Sequence, residues 1–382
     1  MTDLSSAECK FCHTSPCRVW KLRWPVFRHL DFTDVAASGY VIECDACGAV
    51  AAADFDRVAA VHHGFLHGAE YLAAAPTAHV VRGGGSADTR PARQADWITR
   101  HLAESGVANP RVLDVGCFDG ALLRELFARC PAALRLVGFD PNPDVAGWFP
   151  KEQPFEFHAS LASVEGDNHP FDVIIASHSL MYDCHLPETV AILAKLLSWN
   201  GLLILMMPDI ARNPPYLLMG DQYWFGVPEY LTRMLRQHGI ASTLGSVEDW
   251  GHDLVLLASA TMPPSRLASP DLVTPHMPSI LASLDESARR LRSLPSRGPG
   301  YHVLGRTANA AFAAAILGDR CIGFVDEALP QGQSRLFRGL PAMPPANLFE
   351  SRHTSGIVLC YGDRNDPMSR RLLHYGAALF ST

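Results

Sequence analysis

A short apolar segment followed by a glycine-rich turn constrains the fold of this chain more than any other part of its sequence. Val112 to Val115 is typical of a buried parallel strand, and Gly116 and Gly120 then lead into a helical pattern over Ala121 to Phe127. Glycine is needed where the backbone takes a positive φ or approaches a ligand closely. The pattern therefore predicts a strand, a tight turn and a helix, which is the repeating unit of doubly wound α/β sheets.

Further strand patterns alternate with helical patterns on both sides of this turn. Before the turn, Ala92 to Ser105 is predicted to form an amphipathic helix. After it, strands are predicted at Leu134 to Phe139, Phe171 to Ala176, Gly201 to Met207 and Asp253 to Ala258, with a helix over Pro187 to Leu197 and a helix stop at Asn200-Gly201. The alternation indicates an α/β fold that binds its ligand at the carboxyl ends of the strands.

The residues of the turn indicate the chemistry of that ligand. The dinucleotide spacing G-x-G-x-x-G is absent, and the turn reads D-x-G-x-x-x-G without a Lys or Arg. Asp140 ends the next strand, about 20 residues beyond the turn, where an acidic side chain can bind ribose hydroxyls. A glycine turn after a strand is also common in α/β domains without such a ligand, so both interpretations stay open.

This combination resembles motif I and the acidic loop of class I S-adenosylmethionine (SAM) methyltransferases. The resemblance implies that Asp114 orders the turn, that main-chain groups of the turn hold the amino acid part of SAM, and that Asp140 binds the ribose. The adenine is then expected near Pro141 and the segment around Ser160. The implied SAM-binding residues are Asp114, Gly116, Phe118, Gly120, Asp140 and Ser160.

Composition narrows the classes of partner. The chain has 382 residues, 48% of them hydrophobic, and a net charge of -7 without a long basic segment. This length predicts two or three domains, and this charge argues against nucleic acid or an anionic membrane surface as a partner. The longest apolar segments are too short to span a bilayer, and no apolar leader follows Met1, so a cytoplasmic protein is expected. The oligomeric state stays open.

Cysteines are concentrated at the N-terminus. Five of the ten lie within the first 47 residues, and four of these form two C-x-x-C pairs separated by 31 residues. Two such pairs can supply a closed tetrahedral thiolate site, which is the arrangement of structural zinc, although thiolates also bind iron. Buried free cysteines are the alternative interpretation, and Cys17 and His13 are taken as non-ligands. The predicted metal ligands are Cys9, Cys12, Cys44 and Cys47.

A second α/β pattern follows a proline-rich linker over Met262 to Pro278. Strands are predicted at Tyr301 to Gly305, Cys321 to Asp326 and Ile357 to Cys360, with a helix over Asn309 to Leu317 and a hairpin-like region at Gly332 and Gly339. This part is either a nucleotide-binding half-sheet or a docking domain that keeps the topology without a ligand.

The three parts together resemble the sugar C-methyltransferase family, in which a zinc domain, a class I SAM domain and a C-terminal Rossmann-like domain occur in that order. The matching features are the two C-x-x-C pairs, the turn, the loop at Ser177-His178, and Gly323-Phe-Val-Asp-Glu with its downstream glycines. The resemblance implies a Rossmann-like α/β methyltransferase domain over residues 83–262, a zinc-binding domain over 1–82, and a linker with a Rossmann-like α/β domain over 263–382. It also implies a nucleotide-linked sugar as the substrate, methylated at carbon through an enolate.

The resemblance implies an acid/base set of three parts, and the third part differs from the family. Tyr71 corresponds to a tyrosine before the SAM domain, and His178 to a histidine after the third core strand, with Tyr182 nearby. The family's Tyr-x-Glu-His motif falls on Met219, Asp221 and Gln222, and glutamine does not accept a proton near neutral pH. Asp221 is then expected to orient His178 or a substrate hydroxyl. The candidate catalytic residues are His178, Tyr71, Tyr182 and Asp221.

Three functions follow from these observations. The first is SAM-dependent methylation of a small polar molecule, most plausibly the nucleotide-linked sugar. The second is a SAM- or nucleotide-binding interaction protein with reduced catalysis, because Gln222 replaces a base. The third is O- or N-methylation of a natural-product scaffold.

Overall fold

The computed structural model describes residues 7–28, 32–35, 39–66, 80–83, 86–104, 106–133, 135–152, 154–165, 170–245, 253–261, 276–296, 298–351, 356–362, 369–370, 372 and 378–381. Within them, none of the helices combines the length and apolar composition needed to cross a bilayer. The N-terminal region contains strands β1 (Arg18–Lys21), β2 (Tyr40–Glu43) and β3 (Val50–Ala52), helix α1 (Phe55–Leu66), and a hairpin of β4 (Val80–Gly83) and β5 (Ser86–Thr89).

The central region forms a seven-stranded sheet. Its elements, in chain order, are α2 (Arg90–Glu104), β6 (Arg111–Val115), α3 (Ala121–Arg129), β7 (Arg135–Phe139), β8 (Phe155–His158), α4 (Leu161–Glu165), β9 (Phe171–Ser177), α5 (Leu186–Leu196), β10 (Leu197–Pro208), β11 (Trp224–Phe225), α6 (Pro228–Gln237), β12 (Ala241–Leu244) and β13 (Asp253–Ser259). The strand order is β12-β13-β10-β9-β6-β7-β8, and β11 instead pairs with β3 of the N-terminal sheet.

The strand order of the central sheet determines where a ligand binds. Strands β6 to β10 are parallel. From β6 the chain continues to β7 and β8 on one side, and from β9 it continues to β10 on the other, so the strand order reverses between β6 and β9. Ligands of open α/β sheets bind outside the carboxyl ends of the strands at such a reversal. The turn after β6 and the loop after β9 therefore border the expected crevice.

The predicted helix stop at Asn200-Gly201 is wrong. Helix α5 ends at Leu196, and Leu197 already pairs with Phe171 as the first residue of β10, before a shift in register at Leu202. The strand therefore begins four residues before the predicted start at Gly201, because Leu197 already pairs with β9 and residues 198–201 form the irregularity that follows.

The C-terminal region forms a six-stranded sheet in the order β16-β17-β15-β14-β18-β19, parallel except for the β16–β17 hairpin. Its elements are α7 (Met277–Ser293), β14 (Tyr301–Leu304), α8 (Ala308–Leu317), β15 (Cys321–Val325), β16 (Arg335–Phe337), β17 (Leu340–Met343), α9 (Pro345–Ser351), β18 (Gly356–Leu359) and β19 (Leu379–Ser381). Helix α7 begins at Met277, so Met277 and Pro278 belong to the helix and not to the predicted linker, whose residues 262–275 lie outside the described part. The domain boundaries at 82 and 262 stay a prediction.

Glu43 connects the N-terminal sheet to the C-terminal region. Its carboxylate is 1% exposed and accepts hydrogen bonds from the backbone N–H groups of His276 (2.5 Å) and Met277 (3.2 Å) at the start of α7. The first N–H groups of a helix have no partner within the helix, and the helix dipole favours a negative charge there. Arg18 lies 3.3 Å from the second carboxylate oxygen. Glu43 therefore caps a helix that is more than 200 residues away in sequence.

We expect the substitution Glu43→Gln to lower the free energy of unfolding by about 2 kcal/mol, because a buried charged acceptor is lost from the start of α7. The matched control is Asp45→Asn, since Asp45 also contacts Arg18, at 2.5 Å, but is 61% exposed. That change is expected to cost less than about 1 kcal/mol. Urea denaturation measures both, and equal effects would contradict the capping role.

Candidate functional site

The structure brings the four predicted cysteine ligands together. The sulfur atoms of Cys9, Cys12, Cys44 and Cys47 all lie within 4.8 Å of one another, with 3.7 Å between Cys9 and Cys47 and 3.5 Å between Cys12 and Cys44. Tetrahedral zinc with bonds of about 2.3 Å places its sulfur ligands about 3.8 Å apart. The four thiols therefore fit such a metal.

Local backbone geometry explains why two C-x-x-C segments produce this cluster. In the second segment, Gly48 has a φ of 82° and its N–H donates to the carbonyl of Cys44, while the N–H of Cys47 points at the Cys44 sulfur, 3.5 Å away. A positive φ at this position favours glycine. His13 and Cys17 lie outside the four-thiol group: His13 contacts Glu8, and the Cys17 thiol points at the carbonyl of Thr14.

The turn after β6 has the conformation that its glycines indicated. Gly116 and Gly120 have φ values of 79° and 73°, and Phe118 between them also has a positive φ, 47°. A Cβ atom on Gly116 would lie 2.3 Å from the Cβ of Ser179. The hydroxyl of Ser179 in turn donates to the carbonyl of Val115. The turn and the loop after β9 are thus in direct contact at the reversal of strand order.

Asp140 ties the turn to the end of β7. One carboxylate oxygen accepts the N–H of Phe118 at 3.1 Å, and the other accepts the N–H of Asn142 at 3.0 Å. Each carboxylate oxygen has a second lone pair that can accept a hydroxyl. Asp140 is 3% exposed, whereas Ser160, at the end of the next strand, is exposed.

Three acidic side chains lie at this crevice. Burial, with Asp140 and Asp119 nearby, raises the pKa of Asp114 to about 7, and burial also raises the pKa of Asp140. Asp119 pairs with Arg124 at 3.0 Å. Beside them, the rings of Phe118 and Trp148 lie 5.7 Å apart, and Trp148 is 37% exposed. Buried carboxylates next to an aromatic surface fit a ligand with hydroxyls, a positive charge and a flat ring, and SAM has all three.

His178 lies at the carboxyl end of β9 in a constrained position. Its φ is 55°, its backbone N–H donates to the carbonyl of Met206, and its side chain is 12% exposed. Its Nε2 lies 3.2 Å from a carboxylate oxygen of Asp253, the first residue of β13. Burial and Arg90 lower the pKa of His178, and Asp253 opposes them. Asp253 is therefore a partner of His178, and the expectation that Asp221 orients His178 stays a prediction.

Met219, Asp221 and Gln222 lie beneath the loop after β9. All three are at most 2% exposed. The next residues attach this segment to the loop, since the N–H of Tyr223 donates to the carbonyl of Met181 and the indole N–H of Trp224 donates to the carbonyl of Leu180. The segment thus supports the loop. A catalytic role for Asp221 stays a prediction.

Tyr182 lies half-buried at the wall formed with the N-terminal region. Its ring stacks on His62 of α1, with centroids 5.1 Å apart and planes 5° apart. His62 also contacts the ring of Tyr223 edge-on. The N-terminal region therefore reaches the loop that carries His178. Tyr71 lies outside the described residues.

The glycine turn of the C-terminal sheet is filled by its own side chains. The Tyr361 hydroxyl would lie 2.0 Å from a Cβ on Gly305, and it donates to the carbonyl of Leu304. Arg306 pairs with Asp326, the acid that ends the second strand. Of the two interpretations of this sheet, this arrangement favours the docking domain.

Asp253 and Arg90 are the functional candidates that sequence reasoning missed. Asp253 is 75 residues from His178 and begins a strand that was recognised only by its apolar residues. Arg90 begins α2, and no ion pair with it is found among the described residues. Neither belongs to a local motif, so only the tertiary structure brings them to the crevice.

Comparisons with known proteins concern the central region. A family model described as a methyltransferase domain matches residues 87–247. Trans-aconitate 2-methyltransferase of Methylobacterium nodulans is 30% identical over 166 residues, which cover 42% of this chain and 60% of that protein. The enzyme of the same name from an Enterobacter strain is 32% identical over 146 residues, 36% of this chain and 52% of that protein. The chain thus spans little more than half the length of these relatives.

Among solved structures, magnesium protoporphyrin IX methyltransferase from Synechocystis with bound SAM is 15% identical, with a TM-score of 0.37 and coverage of 53% of this chain and 96% of that one. The family match coincides with the region that carries the glycine turn, Asp140 and His178. Residues 87–247 therefore match a methyltransferase domain, and they have a Rossmann-like α/β fold.

Proposed function

We propose that this protein transfers a methyl group from SAM to a small polar molecule that binds between the glycine turn and His178. The observation that carries the proposal is the contact between Gly116 and Ser179, because it joins the SAM-binding turn directly to the loop that carries His178. SAM supplies an electrophilic methyl group on a sulfonium sulfur. The chain contributes the binding groups at Asp140, the alignment of the reactants, and a proton acceptor at His178.

Asp140 gives this proposal its first quantitative test. The substitution Asp140→Asn removes the charged acceptor for the ribose hydroxyls and weakens the bond to Phe118 N–H, so we expect SAM to bind about 10- to 100-fold more weakly. The control is Asp144→Asn, an exposed acid four residues on, which should leave SAM affinity within about twofold. Calorimetric titration with SAM compares them, and equal affinities would reject the role of Asp140.

A nucleotide-linked sugar is the substrate class that we propose first. Its support is the resemblance of the three-part order, together with the thiol cluster that completes the N-terminal part. The filled turn at Gly305 argues against a nucleotide in that position, because Tyr361 would have to move away first. A nucleotide would thus bind closer to the crevice of the central sheet.

A small carboxylic acid is the second candidate substrate. Arg90 acts on the pKa values of both His178 and Tyr216, so its positive charge is near the crevice, and no carboxylate pairs with it in the part of the chain described. A guanidinium can bind a carboxylate through two hydrogen bonds. The relatives named trans-aconitate 2-methyltransferases give this candidate independent support.

Native mass spectrometry of the purified protein, followed by an assay for S-adenosylhomocysteine, distinguishes these candidates. The protein is offered SAM with a panel of nucleotide sugars and, separately, with di- and tricarboxylic acids including trans-aconitate. A bound nucleotide sugar that gains 14 Da supports the first candidate, and a carboxylic acid that gains it supports the second. Protein that binds no SAM would reject the proposed function altogether.

A further inference from the structure

We propose that Asp253 is the positioning residue of the methyl transfer reaction: it holds His178 with a proton on Nε2 and leaves Nδ1 as the base that takes a proton from the substrate. The inference rests on the proposed function and deepens it, because it favours a substrate group that must lose a proton before it is methylated. Asp253 lies outside every motif by which the sequence resembles known methyltransferases.

The geometry of the pair supports this assignment. The Nε2 of His178 and a carboxylate oxygen of Asp253 are 3.2 Å apart, and the two side chains are only 12% and 18% exposed. A carboxylate accepts hydrogen bonds and cannot donate them, so Nε2 must carry the proton. In a neutral imidazole the other nitrogen, Nδ1, then has a free lone pair. Among the described residues, no hydrogen bond to Nδ1 is found.

The backbone fixes both partners. His178 has a φ of 55°, an uncommon conformation for a residue other than glycine, and its N–H is held by Met206 of the neighbouring strand. Asp253 lies opposite Pro208 in the antiparallel pairing of β13 with β10. Strand β10 lies between β9 and β13, so the His178 imidazole reaches across the end of β10 to the carboxylate of Asp253. Uncommon backbone conformations of this kind occur often at active sites.

Asp253 and Arg90 act on the titration of His178, and Tyr216 is a third titratable group near these two. Asp253 from β13 stabilises the protonated imidazole, whereas Arg90 from α2 destabilises it. Tyr216, from the 3₁₀ helix Pro214–Leu218, has the same two electrostatic neighbours and keeps its proton, since burial raises its pKa to about 12. With Asp253 in place, His178 is therefore the group of this set best suited to accept a proton near neutral pH.

The reaction that this pair supports moves one proton and one methyl group. Nδ1 of His178 takes a proton from a substrate hydroxyl or from a carbon next to a carbonyl, and the electron pair left on that atom forms a bond to the methyl carbon. The carbon–sulfur bond breaks, and its electron pair stays on the sulfur as a neutral thioether. The proton on His178 then leaves to solvent. A carboxylate substrate needs no such base, so the pair favours a hydroxyl or a carbon acid.

Two measurements test the inference on Asp253→Asn. The first is kcat with the substrate identified above: the asparagine amide can donate to Nε2 and move the proton to Nδ1, so kcat is expected to fall about 10³-fold while SAM affinity stays within twofold. Asp253→Glu should recover part of the loss. The control Asp183→Asn, an acid on the same loop that contacts His185 rather than His178, should leave kcat within about threefold.

The second measurement does not depend on activity. Nuclear magnetic resonance of histidine Cε1–H groups, with the His178 signal assigned from His178→Gln, follows the titration of His178. Loss of the carboxylate should move the titration to lower pH, because the protonated form loses its partner. A wild-type protein without methyl transfer would reject the proposed function while leaving this titration interpretable. Unchanged kcat and an unchanged titration in Asp253→Asn would overturn the inference.

Discussion

Replacing Gly116 with alanine is expected to abolish measurable SAM binding and to destabilise the central domain. A Cβ atom at this position would lie 2.3 Å from the Cβ of Ser179, a distance that non-bonded carbon atoms do not reach. The φ of 79° adds strain for any residue with a Cβ. Relief requires the turn after β6 to move away from the loop after β9. Because the turn also holds the Phe118 N–H against Asp140, the SAM-binding arrangement is lost with it.

Gly239→Ala separates the contact from the backbone strain. Gly239 has a φ of 74°, almost the same as Gly116, but a Cβ there meets no atom within 4 Å. Its cost should be the strain alone, about 1 to 2 kcal/mol, with SAM affinity unchanged. Gly116→Ala should cost several kcal/mol more and weaken SAM binding by at least about 100-fold. Thermal denaturation and calorimetry compare the two variants, and similar effects would contradict the importance of the Ser179 contact.

The second large effect is expected from Cys44→Ser. We propose that the four thiols bind one structural zinc ion per chain, since the sulfur distances fit tetrahedral coordination. A structural zinc site contributes of the order of 10 kcal/mol to small domains that depend on it. Loss of one thiolate should therefore remove the metal and unfold the N-terminal sheet. Glu43, the neighbour of Cys44, would then release the start of α7 as well.

Cys17→Ser is the matched control for this experiment. Cys17 is also a cysteine of the N-terminal region and is 8% exposed, but its sulfur lies outside the four-thiol group. Metal analysis should find one zinc per chain in the wild type and in Cys17→Ser, and almost none in Cys44→Ser. In limited proteolysis, Cys44→Ser should be cut rapidly in the N-terminal region, whereas the wild type and Cys17→Ser should resist cleavage there. Equal metal content in all three proteins would reject the four-thiol site.

The elements that have a local physical cause could be predicted from the sequence. The strand Arg111–Val115, the turn at Gly116 and Gly120, and helix α3 follow from an apolar segment, two residues that tolerate positive φ, and helical periodicity. Each C-x-x-C spacing likewise brings two sulfurs to one side of a turn, whereas the meeting of the two pairs depends on the packing of the N-terminal region. The methyltransferase domain was identified from the same local features, and the family match over residues 87–247 confirmed it.

Contacts between groups that are far apart along the chain depend on tertiary packing. The pairing of His178 with Asp253 depends on the antiparallel placement of β13 beside β10, and no periodicity specifies which strand takes an edge position. The capping of α7 by Glu43 depends on the packing of two regions that are far apart in sequence. At Gly305 the sequence pattern is compatible with a nucleotide-binding turn, but the side chain of Tyr361 occupies the space beside the glycine. Local patterns specify backbone conformation, whereas the catalytic partner, the cap and the filled turn depend on packing, which joins residues without regard to their distance along the chain.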